Sequence, residues 1–118
     1  MMKVPAAQPI MTEKMIEAAA NALRTERLTL GDSVFKFEEA FARMCGTKHA
    51  IAVSSGTAAL QLSLQAHGVK AGDRIVAPAM SFVATTNAFV PFGGVPGFAE
   101  VSEKDYTLDP AKLKAALD

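Results

Sequence analysis

Residues 50–60 read AIAVSSGTAAL, an apolar run that meets Ser54, Ser55, Gly56 and Thr57 and then turns apolar again. A buried strand entering a helix through small residues gives this pattern, and the first backbone N–H groups of such a helix have no partner in a preceding turn. Gly56 permits close backbone approach, and Ser54, Ser55 and Thr57 add hydroxyls. The turn therefore suits a phosphate, which the helix dipole favours by roughly 0.3–2 kcal/mol. A plain cap, in which Ser54 or Ser55 accepts from the helix start, accounts for the same residues and stands beside the phosphate reading. The turn has no lysine, and GxxxxGK[ST], GxGxxG and GxSxG are all absent, which argues against nucleoside triphosphate, dinucleotide and esterase sites.

Working outward, the pattern predicts a strand over 49–53, a helix over 57–67 closed by Gly68, a strand over 74–77, a helix over 82–92 and a strand over 95–101. This β-α-β-α-β order predicts an α/β fold with parallel strands. A last helix follows "EKDYTLDP", with Asp109 as its cap and Pro110 at its first position. Upstream, residues 1–11 carry Pro5 and Pro9 and read as an extended arm. Thr12 then caps a helix with a stripe of Met15, Ile16, Ala19, Ala20 and Leu23, ending near Arg24. "TERLTLGD" at 25–32 breaks the period, offering Gly31 for an unusual backbone angle and Asp32 or Ser33 as the next cap. The second helix runs to Cys45, with Val34, Phe37, Phe41 and Met44 on one side and Gly46 as a left-handed stop. The expected division is 1–46, arm and helices, and 47–118, an incomplete larger domain.

Composition limits the function. With 118 residues, burial of about 65% of the unfolded surface is normal. Lys plus Arg and Asp plus Glu each number 12, so no net charge draws the chain to nucleic acid or to an anionic membrane. The lone Cys45 excludes an internal disulfide and no apolar leader opens the chain, so a cytoplasmic protein is expected. Cys45 reads as a packed core thiol. His49 and His67 lack clustered partners for a metal, and His67 is better suited to a helix C-terminus. Glu13, Glu17, Glu38 and Glu39 read as solvated helix surface.

A second turn resembles a site. In "VAPAMSFVATTNA", residues 76–88, Pro78 ends a strand and Phe82 opens a helix, with Thr85, Thr86 and Asn87 following. In a parallel sheet both turns lie at carboxyl ends of strands, where open α/β sheets bind ligands. One would grip a phosphate while Phe82 lies over a flat ring, a contact of about 0.5–1.5 kcal/mol beyond burial. A core position for Phe82 is the alternative. A planar ring bearing a phosphate fits both turns, and pyridoxal 5'-phosphate is such a molecule.

"LTLGDSVFKFEEAFARMCGTKHAIAVSSGTAALQLSL" (28–64) and "GDRIVAPAMSFVATTNAFVPFGGVPGFAEVSEKDYTLDPAKLKAAL" (72–117) resemble, in order and spacing, the DegT/DnrJ/StrS group of sugar-nucleotide aminotransferases. These are pyridoxal-phosphate enzymes of fold type I. The resemblance implies that Gly56, Thr57 and Ala58 bind the cofactor phosphate, that Phe82 stacks on the pyridine ring and that Asn87 lies near the cofactor. It places Thr29 and Gly31, in the "LTxG" stretch, beside the substrate. It implies amino transfer from an amino acid, with glutamate the expected donor, to a keto sugar nucleotide in deoxyamino sugar biosynthesis, by a homodimer.

The Schiff-base lysine of that family and its partner aspartate match no position here. The resemblance therefore covers an N-terminal portion, and no catalytic residue is assigned among residues 1–118. Taken alone the portion is expected to be inactive, with apolar faces and strand edges uncovered, and the family places later strands between 49–53 and the next two. A deoxysugar dehydratase of the same family, with histidine for the lysine, and a non-catalytic assembly or binding module are the alternatives.

Overall fold

The computed structural model describes Pro5 and residues 7–117; the rest of the expected N-terminal arm lies outside the described residues. Two compact units divide the chain, Met1–Ala52 and Val53–Asp118, so that residues 47–52 belong with the first two helices.

In the first unit, α1 (Glu13–Thr25) begins at Thr12, whose Oγ1 accepts from the Met15 N–H at 3.3 Å. Its expected cap is therefore in place. The second helix, α2 (Asp32–Cys45), ends as read, on Gly46 in the left-handed region at φ 66°. Its start differs from the reading. Neither Asp32 nor Ser33 caps it; Gly31 holds the cap position, at an ordinary φ of −73°. The unusual angle falls on Leu30, at φ 54°.

Two surface assignments in this unit also change. Glu38 is half-buried and accepts the Ala52 N–H at 2.8 Å, because residues 48–50 fold back beside Phe35 and Ala42. Cys45 is exposed rather than packed, since only Ala42 of α2 is buried and Phe37, Phe41 and Met44 on the apolar side stay open. Glu13, Glu17 and Glu39 lie on the surface as expected.

The second unit is an α/β arrangement: α3 (Gly56–Ala66), β1 (Arg74–Pro78), α4 (Ala84–Asn87), a 3₁₀ turn at Val90–Phe92, β2 (Val95–Ala99) and α5 (Pro110–Leu117). β1 and β2 pair in parallel from Arg74 opposite Val95 to Pro78 opposite Ala99. The expected first strand, 49–53, does not form. A strand exists through ladder bonds, and the Ala52 N–H is taken by a carboxylate instead.

The helix expected over 82–92 is interrupted. Pro91 has no N–H for the Asn87 carbonyl and its ring opposes that carbonyl, so α4 stops and a 3₁₀ turn follows. Gln61 of α3 supplies the missing donor, its Nε2 reaching the Asn87 oxygen at 3.2 Å. The last strand stops at Ala99, and Val101 instead forms a single antiparallel bridge with Leu108. Asp109 caps α5 through Oδ1, which accepts from Ala111 at 2.8 Å and Lys112 at 3.3 Å. His67 closes α3 as expected, with Nδ1 2.8 Å from the Ser63 carbonyl.

Phe89 is the largest fully buried side chain among the described residues, and Ala77, Ala88 and Ala99 are buried with it. With so small a core, one aromatic ring carries much of the apolar burial. Phe89→Ala is expected to cost about 3–5 kcal/mol, a typical loss for truncating a buried ring. Urea denaturation followed by far-ultraviolet circular dichroism checks this; a midpoint shift worth under about 1 kcal/mol would contradict it.

Candidate functional site

At the start of α3 the chain satisfies only part of its own backbone. Ser55 is the N-cap; its Oγ accepts from the Ala58 N–H at 3.1 Å and its carbonyl from the Ala59 N–H at 3.0 Å. Among the described residues the N–H groups of Gly56 and Thr57 have no acceptor. A Cβ built on Gly56 meets no atom within 4 Å, so the glycine leaves an open approach to these two donors rather than relieving a clash within the chain. Two free amides and an uncovered backbone at the positive end of an eleven-residue helix form a fitting cradle for a phosphate. The Ala58 N–H, expected to join them, is already bonded to Ser55.

The second turn leaves the carboxyl end of β1. Within this chain Phe82 is 78% exposed, and no side chain among the described residues buries its ring. Its carbonyl accepts from the Thr85 N–H at 3.0 Å, and the Ser81 and Thr85 hydroxyls pair at 2.6 Å, fixing the turn into α4. Asn87 is exposed; its N–H bonds the Val83 carbonyl and its own carbonyl takes the Gln61 amide. That last bond ties α4, hence the turn that carries Phe82, to the helix that begins at Gly56.

The expected substrate-side residues lie in the first unit. Thr29 is exposed, whereas Gly31 is buried. A Cβ on Gly31 would stand 2.6 Å from the Arg27 oxygen and 2.8 Å from Glu26 Oε2, so only glycine fits. Glu26 reaches across this loop, its Oε2 accepting the Ser33 N–H at 2.9 Å and its Oε1 the Ser33 hydroxyl at 2.6 Å.

A family model described as the DegT/DnrJ/EryC1/StrS aminotransferase family matches residues 9–118. The chain belongs to this family. Among its relatives is the spore coat polysaccharide biosynthesis protein SpsC of Bacillus subtilis (strain 168), 37% identical over 114 residues, which are 97% of this chain and 29% of SpsC. Among solved members, DesV of S. venezuelae is 35% identical with a TM-score of 0.81, over 89% of this chain and 28% of DesV. The GDP-4-keto-6-deoxy-D-mannose-3-dehydratase of E. coli, with bound hydrated pyridoxal phosphate, is 28% identical with a TM-score of 0.87, over 100% of this chain and 32% of the enzyme. The chain thus spans less than a third of the length of the relatives it matches. Their shared structure is the α/β fold of pyridoxal-phosphate-dependent sugar aminotransferases.

Sequence reasoning about this family member missed Glu26, Gln61 and Ser81. Each acts through a contact made between separate elements or across a turn, and only the "TERLTLGD" break hinted that something must hold the loop. The Ser33 hydroxyl bond, then the Ser33 N–H, and further the charge of Lys36 hold the Glu26 carboxyl below its ordinary range. A folded value below the unfolded one means that this contribution to stability is complete above the ordinary glutamate range and disappears as pH falls through the folded value. In a carbon-detected NMR titration Glu26 should titrate below the ordinary glutamate range, and Ser33→Ala should move its midpoint back up. An unchanged midpoint in Ser33→Ala would refute the pairing.

Proposed function

We propose that the protein is a pyridoxal-phosphate-dependent enzyme that transfers the amino group of an amino acid, glutamate as the expected donor, to the keto carbon of a nucleotide-linked sugar. The observation that carries the cofactor half of this reading is the pair of unpartnered amides at Gly56 and Thr57 beneath an open glycine backbone. Family membership carries the reaction class.

In this reading the Gly56 and Thr57 N–H groups and the Thr57 hydroxyl hold the cofactor phosphate. Ala58 contributes its N–H only if Ser55 Oγ gives it up. The exposed Phe82 ring covers one face of the pyridine, excluding water from that side. The Asn87 side-chain amide lies near the cofactor, while Thr29 and the backbone at Gly31 meet the sugar nucleotide. The bound cofactor supplies an electron sink for proton removal beside the transferred nitrogen. None of the residues assigned here supplies the amine that such chemistry requires; in the family that group is a lysine matched by no position of this chain. A homodimer located in the cytoplasm completes the proposal.

The likeness to the E. coli dehydratase supports a second reading, dehydration of a deoxysugar nucleotide on the same scaffold. Lysine or histidine at the family's Schiff-base position separates the two.

The cradle is tested by titrating the protein with pyridoxal 5'-phosphate and following cofactor absorbance. Thr57→Ala and Gly56→Val should each weaken binding by about tenfold or more, a change of about 1.4 kcal/mol. Circular dichroism should not change, because the space over Gly56 is open. Unaltered affinity in both variants would remove the cradle from the reading. Mass-spectrometric detection of aminated rather than deoxygenated sugar product decides between the two reactions.

A further inference from the structure

α2 begins on a residue that has no side chain to cap it, and the cap arrives from seven residues away. Gly31 offers only its carbonyl, bonded to the Val34 N–H at 3.0 Å. The Ser33 N–H, otherwise an orphan at the helix start, goes to Glu26 Oε2, and the Ser33 hydroxyl goes to Oε1 of the same carboxylate. Between these anchors lies the loop that carries Thr29. Its backbone is bent through a left-handed Leu30, a conformation that persists in a residue with a side chain only when its surroundings hold it. The buried Gly31 presses against Arg27 and Glu26 so closely that no Cβ fits.

We infer that Glu26 is a positioning residue: by gripping Ser33 with both carboxylate oxygens it closes the 27–31 loop into the shape that presents Thr29 and the Gly31 backbone to the sugar nucleotide. The inference rests on the substrate-side reading of those two residues. Glu26 touches neither cofactor nor reacting atoms; it acts through the loop. A two-oxygen grip by an ionised acid has a directional geometry that a single neutral bond lacks. Leu28 and Leu30, on either side of Thr29, are exposed in this chain, so their burial does not fix the loop's shape here.

Two measurements on Glu26→Ala, Glu26→Gln and the parent protein test this. Amide hydrogen exchange reports the grip directly: the Ser33 N–H should lose protection in Glu26→Ala and keep most of it in Glu26→Gln, whose amide oxygen still accepts. Steady-state kinetics of the enzyme that carries this chain report its purpose. Glu26→Ala should raise KM for the keto sugar nucleotide by about three- to tenfold while KM for the amino donor and the affinity for pyridoxal phosphate stay within about twofold, with substantial rescue in Glu26→Gln. A merely structural role would disturb all three together. Unchanged Ser33 protection in Glu26→Ala would overturn the grip and leave the proposed reaction standing. Lost protection with an unchanged sugar-nucleotide KM would instead overturn the placement of Thr29 and Gly31 at the substrate. If Glu26→Ala fails to fold, Ser33→Ala removes one of the two bonds and should show the same pattern at smaller size.

Discussion

Every helix start leaves backbone donors that its own first turn cannot accept, and much of this molecule follows from how that excess is met. At α3 the Ser55 side chain and carbonyl take two of the first amides and leave those of Gly56 and Thr57. At α2 the start is again beside a glycine, yet there a distant carboxylate takes the spare N–H. The two helix starts therefore differ in electrostatic character. At α3 two adjacent N–H groups stay without an acceptor among the described residues, whereas at α2 a carboxylate already sits against the Ser33 N–H. The proposed cradle at Gly56 thus differs from the start of α2, where a carboxylate of the chain already holds the Ser33 N–H.

The same accounting of backbone groups explains why the element after β1 departs from its expected length. Residues 82–92 have a helical apolar pattern, and Pro91 near the end is compatible with a helix as long as only periodicity is considered. The carbonyl of Asn87 decides the matter, because Pro91 can neither bond it nor make room for it. Gln61 then satisfies an acceptor that the break creates. A local rule, the conflict between proline and the carbonyl four residues earlier, sets where α4 ends, and a tertiary bond makes that ending affordable.

Legibility in the sequence followed the range of the interaction involved. Thr12, Gly46, Asp109 and Pro110 mark helix ends through bonds spanning two to five residues, and each stands where its type predicts. The parallel pairing of β1 with β2 was readable from the alternation of strands and helices. The strand expected at 49–53 was not, because a strand needs a neighbour and sequence pattern records only its own half of the pair. Cys45 and Glu38 were misplaced for a related reason: a helical wheel gives the faces of α2 but not what covers them, and residues 48–50 cover the side holding Glu38 rather than the side holding Phe37 and Met44. The residue types of the proposed site, small residues at one turn and an aromatic at the other, were legible in the sequence. The engagement of the Ala58 amide by Ser55 matches the cap reading of the turn, and only the structure shows that it occupies an amide expected to serve the phosphate.

That engagement bears on how the cradle would work. Ser55 Oγ sits on the amide adjacent to the two free ones, and an arriving phosphate dianion is a stronger acceptor for the same N–H than a neutral hydroxyl. Exchange of acceptors at Ala58 would leave the Ser55 hydroxyl free to donate to the same anion, so the cap becomes a further ligand rather than an obstacle. On the proposed reading, the capping serine and a serine serving a phosphate would be two states of one residue, separated by a rotation about its Cα–Cβ bond. If the proposal holds, the two readings of the Ser-Ser-Gly-Thr turn are the helix start with and without an anion, and the cap of one becomes a ligand in the other.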